Sequence, residues 1–419
     1  MDNHQPHGYF EPVHREFHSN NPSSCCLEHA AGAQATIGST EPTLASLDRD
    51  IACLNSVIDN LNRIRLDKIL LRNQSIPISS LPPEILQEIF IACLDLDDEK
   101  QATQHKGVPM PLRLGHVCSL WRMIALKFPT LWATVNCHVS HPRDSSIVAE
   151  LIFDWISRSQ GRPLTIHISF DDERIWATPD APTDIIDTLV LFSERWKHVS
   201  LVLPISWQMS LSSIKGRLNS LETLRLQRPG FLMNDNLLDA FSVAPRLFSL
   251  SFEGFYLQSL LFPWTNITKA AIRQPSLDEV FEFISRCPSM TECFIVNPTG
   301  NESIFPWPTA AITHGGVKDL TIMLQGDDWG REQAILFSDI AENLITPSLE
   351  RLTVLLKEHD DPLLDVFLLI ERSGCPLGLV EVFGPTIPEE DMIAFIGDTD
   401  CVSRITNNPK DVHTLDLIM

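Results

Sequence analysis

The sequence predicts an α/β chain: a long N-terminal helix, a compact all-α helical block, and then an array of repeated strand–helix units. Three observations predict it. Apolar residues recur at alternating steps of three and four from residue 44 to 61. Two short amphipathic stretches with helix start signals and aromatic ends lie between residues 74 and 135. After residue 160 a spaced apolar triplet recurs every 20 to 32 residues.

The 419 residues are 44% hydrophobic and 21% charged, so the chain can bury a large core divided among two or three units. Its formal net charge of -22 repels nucleic-acid backbones and anionic lipid, and neither is expected as a partner. The densest basic stretch, Arg63 to Lys68, falls inside a helical pattern and reads as a solvated helix face. Ten cysteines are scattered without a Cys-x-x-Cys pair. Residues 1–10 lack the basic start and apolar run of a secretory signal. A soluble protein of the cytoplasm, the nucleus or both is expected, with reduced cysteines packed as small apolar groups.

Residues 1–43 are polar and aperiodic and read as a disordered tail. Residues 44–73 read as a leucine-rich helix. Leu44, Leu47, Ile51, Leu54, Ile58 and Leu61 form an a/d seam, which stops where Arg65 and Lys68 take the next two positions. A seam this short is expected to pack back on its own chain, with self-association as the alternative.

In the block at residues 74–135, Ser79 or Ser80 can cap a helix, and Pro83 suits its first turn because the missing N–H costs nothing there. Ile85, Leu86, Ile89, Phe90 and Cys93 line one face. A second helix over residues 111–125 presents Leu114, Val117, Cys118, Trp121 and Ile124, and Phe128 to Trp132 closes the block. Two such helices bury too little to stand alone, so they share a private core or meet another protein. Residues 136–160 read as a linker whose helix, from residue 145, is ended by Gly161 and Pro163.

Residues 161–400 carry the triplet, which begins at Trp196, Leu221, Leu247, Ile267, Met290, Val317, Leu349 and Leu377. Helix-like runs lie between at 185–196, 237–243, 277–287, 331–344 and 363–372, and a proline often separates helix from strand. The spacing fits a degenerate leucine-rich-repeat solenoid, in which each unit gives a short strand and a covering helix and cannot bury its apolar face alone. A generic alternating α/β domain with a parallel sheet is the alternative. The 32-residue step suggests an inserted loop at residues 321–330. Residues 401–419 read as a C-terminal tail.

The helical block resembles a known family. Leu81-Pro-Pro-Glu-Ile-Leu-x-x-Ile-Phe90, then Val117-Cys-x-x-Trp-Arg122, then Pro129-x-Leu-Trp132 are similar to the F-box. The wider layout resembles the F-box families of mushroom-forming fungi, with a leucine-rich helix before the F-box and degenerate repeats after it. The resemblance implies a non-catalytic adaptor. Its F-box docks on the Skp-type linker protein, and through it a cullin, of a ubiquitin ligase, while the C-terminal domain presents a protein substrate. Carried over by motif position, the docking residues are Leu81, Pro82, Ile85, Leu86, Ile89, Val117, Cys118 and Trp121, with Trp132 closing the domain. The polar stretch at 95–110 is longer than in a compact F-box.

No catalytic pattern stands out. There is no Gly-x-Gly-x-x-Gly, phosphate loop or Gly-x-Ser-x-Gly elbow. Cys137, His138 and His141 read as a chance cluster, and Asp171 to Glu173 and His359 to Asp361 as solvated groups, so no cofactor or metal is expected. An adaptor that recruits substrates for ubiquitination is the expected function; an interaction scaffold independent of ubiquitin is the alternative. Of Trp207, Trp264, Trp307 and Trp329, the last two lie in irregular Gly/Pro-containing stretches and are the better candidate contacts for a substrate whose identity the sequence leaves open, while Trp264 precedes a strand and reads as core.

Overall fold

The structure, a computed structural model, describes residues 43–101, 107–230, 236–300, 303–324, 330–356, 362–384, 387–399 and 401–408. Nearly all of the expected N-terminal tail, Trp329 and the group at 359–361 therefore lie outside the described residues. The chain divides into two compact units after Leu81.

The first unit holds helix α1, Leu44–Gln74, and a 3-10 turn, Pro77–Ser80. No glycine or proline interrupts residues 44–76, so the helix runs for 31 residues. The Ser75 hydroxyl donates to the Leu71 carbonyl at 3.0 Å as the helix ends, and Pro77 bars its continuation. The six seam side chains are 43% to 78% exposed on this helix.

The second unit begins with α2, Pro83–Gln101, α3, Met110–Gly115, and α4, Ser119–Lys127, followed by a 3-10 turn, Pro129–Trp132. Helix α2 runs through residue 101, so part of the expected polar insertion extends the helix. The second expected helix is two. The chain breaks at Cys118, whose backbone is extended at φ -160° and ψ 172°. The Cys118 Sγ accepts the Trp121 N–H at 3.5 Å and caps α4, and the Arg122 Nε–H donates to the Gly115 carbonyl at 2.8 Å across the break.

Strands and helices then alternate. They run β1 Thr134–Val139, α5 Ser145–Arg158, β2 Leu164–Phe170, α6 Glu173–Trp176, α7 Asp184–Val190, β3 Trp196–Val202 and α8 Trp207–Leu211. Next come β4 Thr223–Gln227, β5 Ser249–Glu253, β6 Lys269–Arg273, α9 Leu277–Arg286, β7 Glu292–Val296, β8 Ile312–Thr313 and β9 Asp319–Leu324. The chain closes with α10 Gly330–Asn343, β10 Leu344–Ile345, β11 Arg351–Leu356, α11 Pro362–Ser373, β12 Leu379–Phe383, α12 Glu389–Asp398 and β13 Arg404–Asn408.

Eleven strands form one parallel sheet in chain order, and β8 pairs separately with β10. The order never reverses, unlike a doubly wound sheet with its switch point. The middle residues of the triplets pair across the sheet: Val199, Leu224, Leu250, Ala270, Cys293, Leu320, Leu352 and Val380 form one continuous row. Their third residues form a second row two positions on, from Leu201 to Val382. Both rows are buried, and alternate residues such as Thr223, Arg225 and Gln227 are half-buried on the other face. In the C-terminal half, Val296, Met323, Leu355 and Phe383 make a second small core on that other face.

Several boundaries differ from expectation. The sheet begins at β1, so residues 136–160 are not a linker but the first strand–helix unit, and β2 precedes the first triplet. Residues 237–243 form turns rather than a helix, with Leu238 bridging to Leu260. The supposed tail from 401 contributes β13, paired to β12. Much of the 32-residue step is taken up by α10 and β10, and residues 325–329 lie outside the described residues.

Candidate partner-docking site

The helical block is built around Phe90. This ring and Leu86 are fully buried on α2, and Leu114, Ile124 and Leu131 are the buried apolar residues of α3, α4 and the turn that follows. Trp121, half-buried, meets Phe90 with ring centroids 4.9 Å apart. Pro83 starts α2, and the Pro82 carbonyl accepts from the Ile85 and Leu86 amides at 3.1 and 3.2 Å. The Ser80 hydroxyl does not cap this helix; it donates to the Pro77 carbonyl at 2.6 Å and closes the preceding turn. Glu84 puts a carboxylate in the first turn, against the positive end of the helix.

This packing sorts the expected docking residues. Pro82 is exposed, Ile85 is 47% exposed and Val117 58%, while Ile89, Cys118 and Trp121 are half-buried. Leu81, in the first unit, is half-buried and donates its amide to the Ile78 carbonyl at 3.4 Å. Leu86 is 0% exposed and belongs to the core, so it offers no docking area; its stripe with Phe90 faces inward. The outward ridge of α2 carries Ile85 and Ile89, with Pro82 just before its first turn. Met123 and Leu126 on α4 are further exposed apolar residues that the motif did not single out. They follow Ser119 in a helix whose buried side is set by Ile124 and Ala125.

Residues 78–138 match the F-box-like family model. No curated protein matches the chain. The F-box-like domain ends inside β1, and its last turn is joined to the sheet. The Trp132 indole N–H donates to the Ala125 carbonyl at 2.8 Å, and its ring stands edge-on to Trp155 of α5 at 4.6 Å. The Arg158 guanidinium lies 5.0 Å from the Trp132 ring centre, and the Trp155 indole N–H donates to the Thr134 carbonyl at 2.9 Å. Trp132 is thus core, and it welds the F-box-like domain to the first strand–helix unit. Sequence reading missed Trp155, although its place on the buried face of an amphipathic helix was a usable signal.

Among the described residues, the polar clusters at 137–141 and 171–173 are divided among separate hydrogen-bond partners. Strand alternation turns Cys137 toward the core, where burial raises its thiol pKa to about 11, and His138 to the opposite face. His138 binds Asp171 at 2.5 Å and Ser169 at 2.8 Å, and His141 accepts from the Arg143 amide at 3.2 Å. Asp172 caps α6 and Glu173 accepts from Gln227 at 3.1 Å. Among the described residues no group of three or more His, Cys, Asp or Glu side chains could hold a metal ion. None of the described helices is long and apolar enough to cross a membrane.

The candidate tryptophans separate as well. Trp207 is fully buried, donating to the Pro182 carbonyl at 2.8 Å, so it is no surface contact. Trp264 packs edge-on to Phe262 at 5.3 Å and is half-buried. Trp307 is 37% exposed, its ring resting on Phe281 at 5.3 Å.

Proposed function

We propose that the protein is a substrate-recruiting adaptor of a Skp/cullin/F-box ubiquitin ligase. It docks on a Skp-type linker through Pro82, Ile85, Ile89, Val117, Cys118 and Trp121. The observation that carries this reading is the F-box-like match at residues 78–138 together with the exposed apolar side chains of Ile85 and Val117 within it. Exposed apolar ridges of this kind gain from burial against a partner groove. The eleven strands in chain order support a repeat array of the leucine-rich type, the layout found in F-box proteins of mushroom-forming fungi, as the substrate-binding part. The adaptor performs no chemistry itself and works in the cytoplasm or nucleus.

The test is capture of the full chain by a purified Skp-type linker. Wild type binds, and the Ile85→Asp, Val117→Asp double variant does not. Equal capture of both would remove the docking assignment and leave a repeat scaffold independent of ubiquitin. Affinity purification with the proteasome inhibited then identifies the substrate.

A further inference from the structure

Among the described residues of the first unit, the seam of α1 is the longest run of regularly spaced, exposed apolar side chains, and linker docking makes no use of it. We propose that it joins two copies of this chain in a parallel two-stranded coiled coil. The argument starts with register. Leu44, Ile51 and Ile58 hold the a positions, and Leu47, Leu54 and Leu61 hold the d positions. Isoleucine at a with leucine at d is the arrangement that favours two parallel strands, because each β-branched side chain fits the hole that this geometry forms.

The flanking positions agree. In a parallel pair each g residue faces the e residue five places on in its partner. Asp50 then meets Asn55, and Val57 meets Asn62, so no like charges oppose one another along the seam. Val57 and Ile64, 43% and 45% exposed, widen the apolar strip on one side. The opposite face carries Arg49, Ser56 and Arg63, and the Arg63 guanidinium donates to Asn60 there at 2.9 Å. The far end is self-limiting. At the next a position Arg65 would face its own copy, and at the next d position Lys68 would do the same, so the helices part before Pro77.

Size fits a reversible dimer. Eight apolar side chains from each helix, already partly covered by their own helix, remove on the order of 1,000 Å² from water together, near the lower edge of stable interfaces. The pair therefore assembles and separates with concentration. This proposal is independent of linker docking.

Sedimentation velocity of the full chain tests it, at loadings from about 1 to 100 μM. The expected result is a mass rising toward twice that of the chain. Ile51→Asp with Ile58→Asp weakens association at least about tenfold, because each would bury an unpaired charge. Both sites are exposed in the single chain, so far-UV circular dichroism of the variant stays unchanged. Ser56→Asp, on the outer face, leaves association as it was. Orientation is read from Leu61→Cys in a Cys53→Ser background. A parallel pair sets the two new thiols side by side and crosslinks on oxidation, whereas an antiparallel pair holds them about 25 Å apart. A monomer at every loading overturns the proposal, whether residues 1–42 or another protein covers the seam. So does a dimer that survives the double aspartate change, and a dimer that fails to crosslink through residue 61 overturns the parallel arrangement.

Discussion

The rings of Phe90 and Trp121 meet with centroids 4.9 Å apart and planes inclined at 57°, tying α2 to α4. Phe90 is enclosed and Trp121 keeps one side in water. Phe90→Ala should destabilise the second unit by about 3–5 kcal/mol, the range for emptying a core aromatic site. Trp121→Ala should cost less. Because the residues touch, the double variant should fall short of the sum by about 0.5–1.5 kcal/mol. Urea unfolding of the three variants checks this, and strict additivity would mean that the ring contact contributes nothing.

Neighbouring residues on α2 should behave oppositely. Leu86→Ala opens a cavity and should cost about 2–5 kcal/mol of stability. Ile85→Asp, on the outward ridge, should leave unfolding within about 0.5 kcal/mol of wild type. It should nevertheless weaken capture by a Skp-type linker at least tenfold, or about 1.4 kcal/mol. Thermal melts run beside linker titrations separate the two effects. Loss of stability in Ile85→Asp would move that residue into the core.

Gly384 follows β12 with φ at +109°, and a Cβ there would lie 1.6 Å from the Leu356 carbonyl oxygen of β11. Neither the backbone angle nor the space admits a side chain. Gly384→Ala should cost about 3 kcal/mol or more, combining backbone strain with overpacking. Amide exchange should quicken in residues 379–383. Native-like protection there would refute the close approach.

His167, on β2, has its pKa lowered by burial first, and then by the nearby charges of His198 and Arg225. His198 is shifted the same way by burial and Lys197, opposed by Glu222. A lowered histidine pKa means that the folded state binds fewer protons than the unfolded chain. The stability this gives is complete above the unfolded value of about 6.5 and is lost as the pH falls through the folded value. His167→Gln should therefore flatten the decline in urea midpoint between about pH 7 and 5. A variant whose midpoint falls as steeply as wild type would contradict the lowered pKa of this ring.

Thiol chemistry should follow burial too. Burial lifts the Cys287 thiol to about 12, and Cys293 higher still, where the Cys287 beside it adds to the effect. Cys53 is exposed on α1. Iodoacetamide at pH 8 should label Cys53 at least tenfold faster than either buried thiol, measured by peptide mass spectrometry. Rapid labelling of Cys293 in the folded protein would show that β7 opens locally.

The repeated part of the fold was legible because its burial rule has a short period. A strand that hides every second residue, stacked in one register on its neighbours, writes the same triplet each time, and Val199 to Val380 can be read directly. β2 was missed although Leu164, Ile166, Ile168 and Phe170 alternate strictly, because its apolar residues are spaced by two throughout and do not make the triplet. β13 has a single apolar residue, Ile405, and leaves little trace. In the candidate docking site, Ile85 and Leu86 are adjacent and similar in chemistry, so local pattern does not say which faces inward. Phe90 and Trp121 decide that, and their contact joins residues far apart in the chain. The break at Cys118 had one cue, Gly115 three residues earlier.

The chain-ordered sheet has a consequence for how such proteins can change over time. Val199 touches Leu224, and Leu224 touches Leu250, through equivalent places on successive strands. Excising residues 223–248 would bring Val199 against Leu250 with the same geometry, at the cost of one storey and no redesign of the floors on either side. The distance from the F-box-like domain to the last strand is therefore adjustable in whole steps by gene duplication or deletion, a ruler whose divisions can be added or removed one at a time.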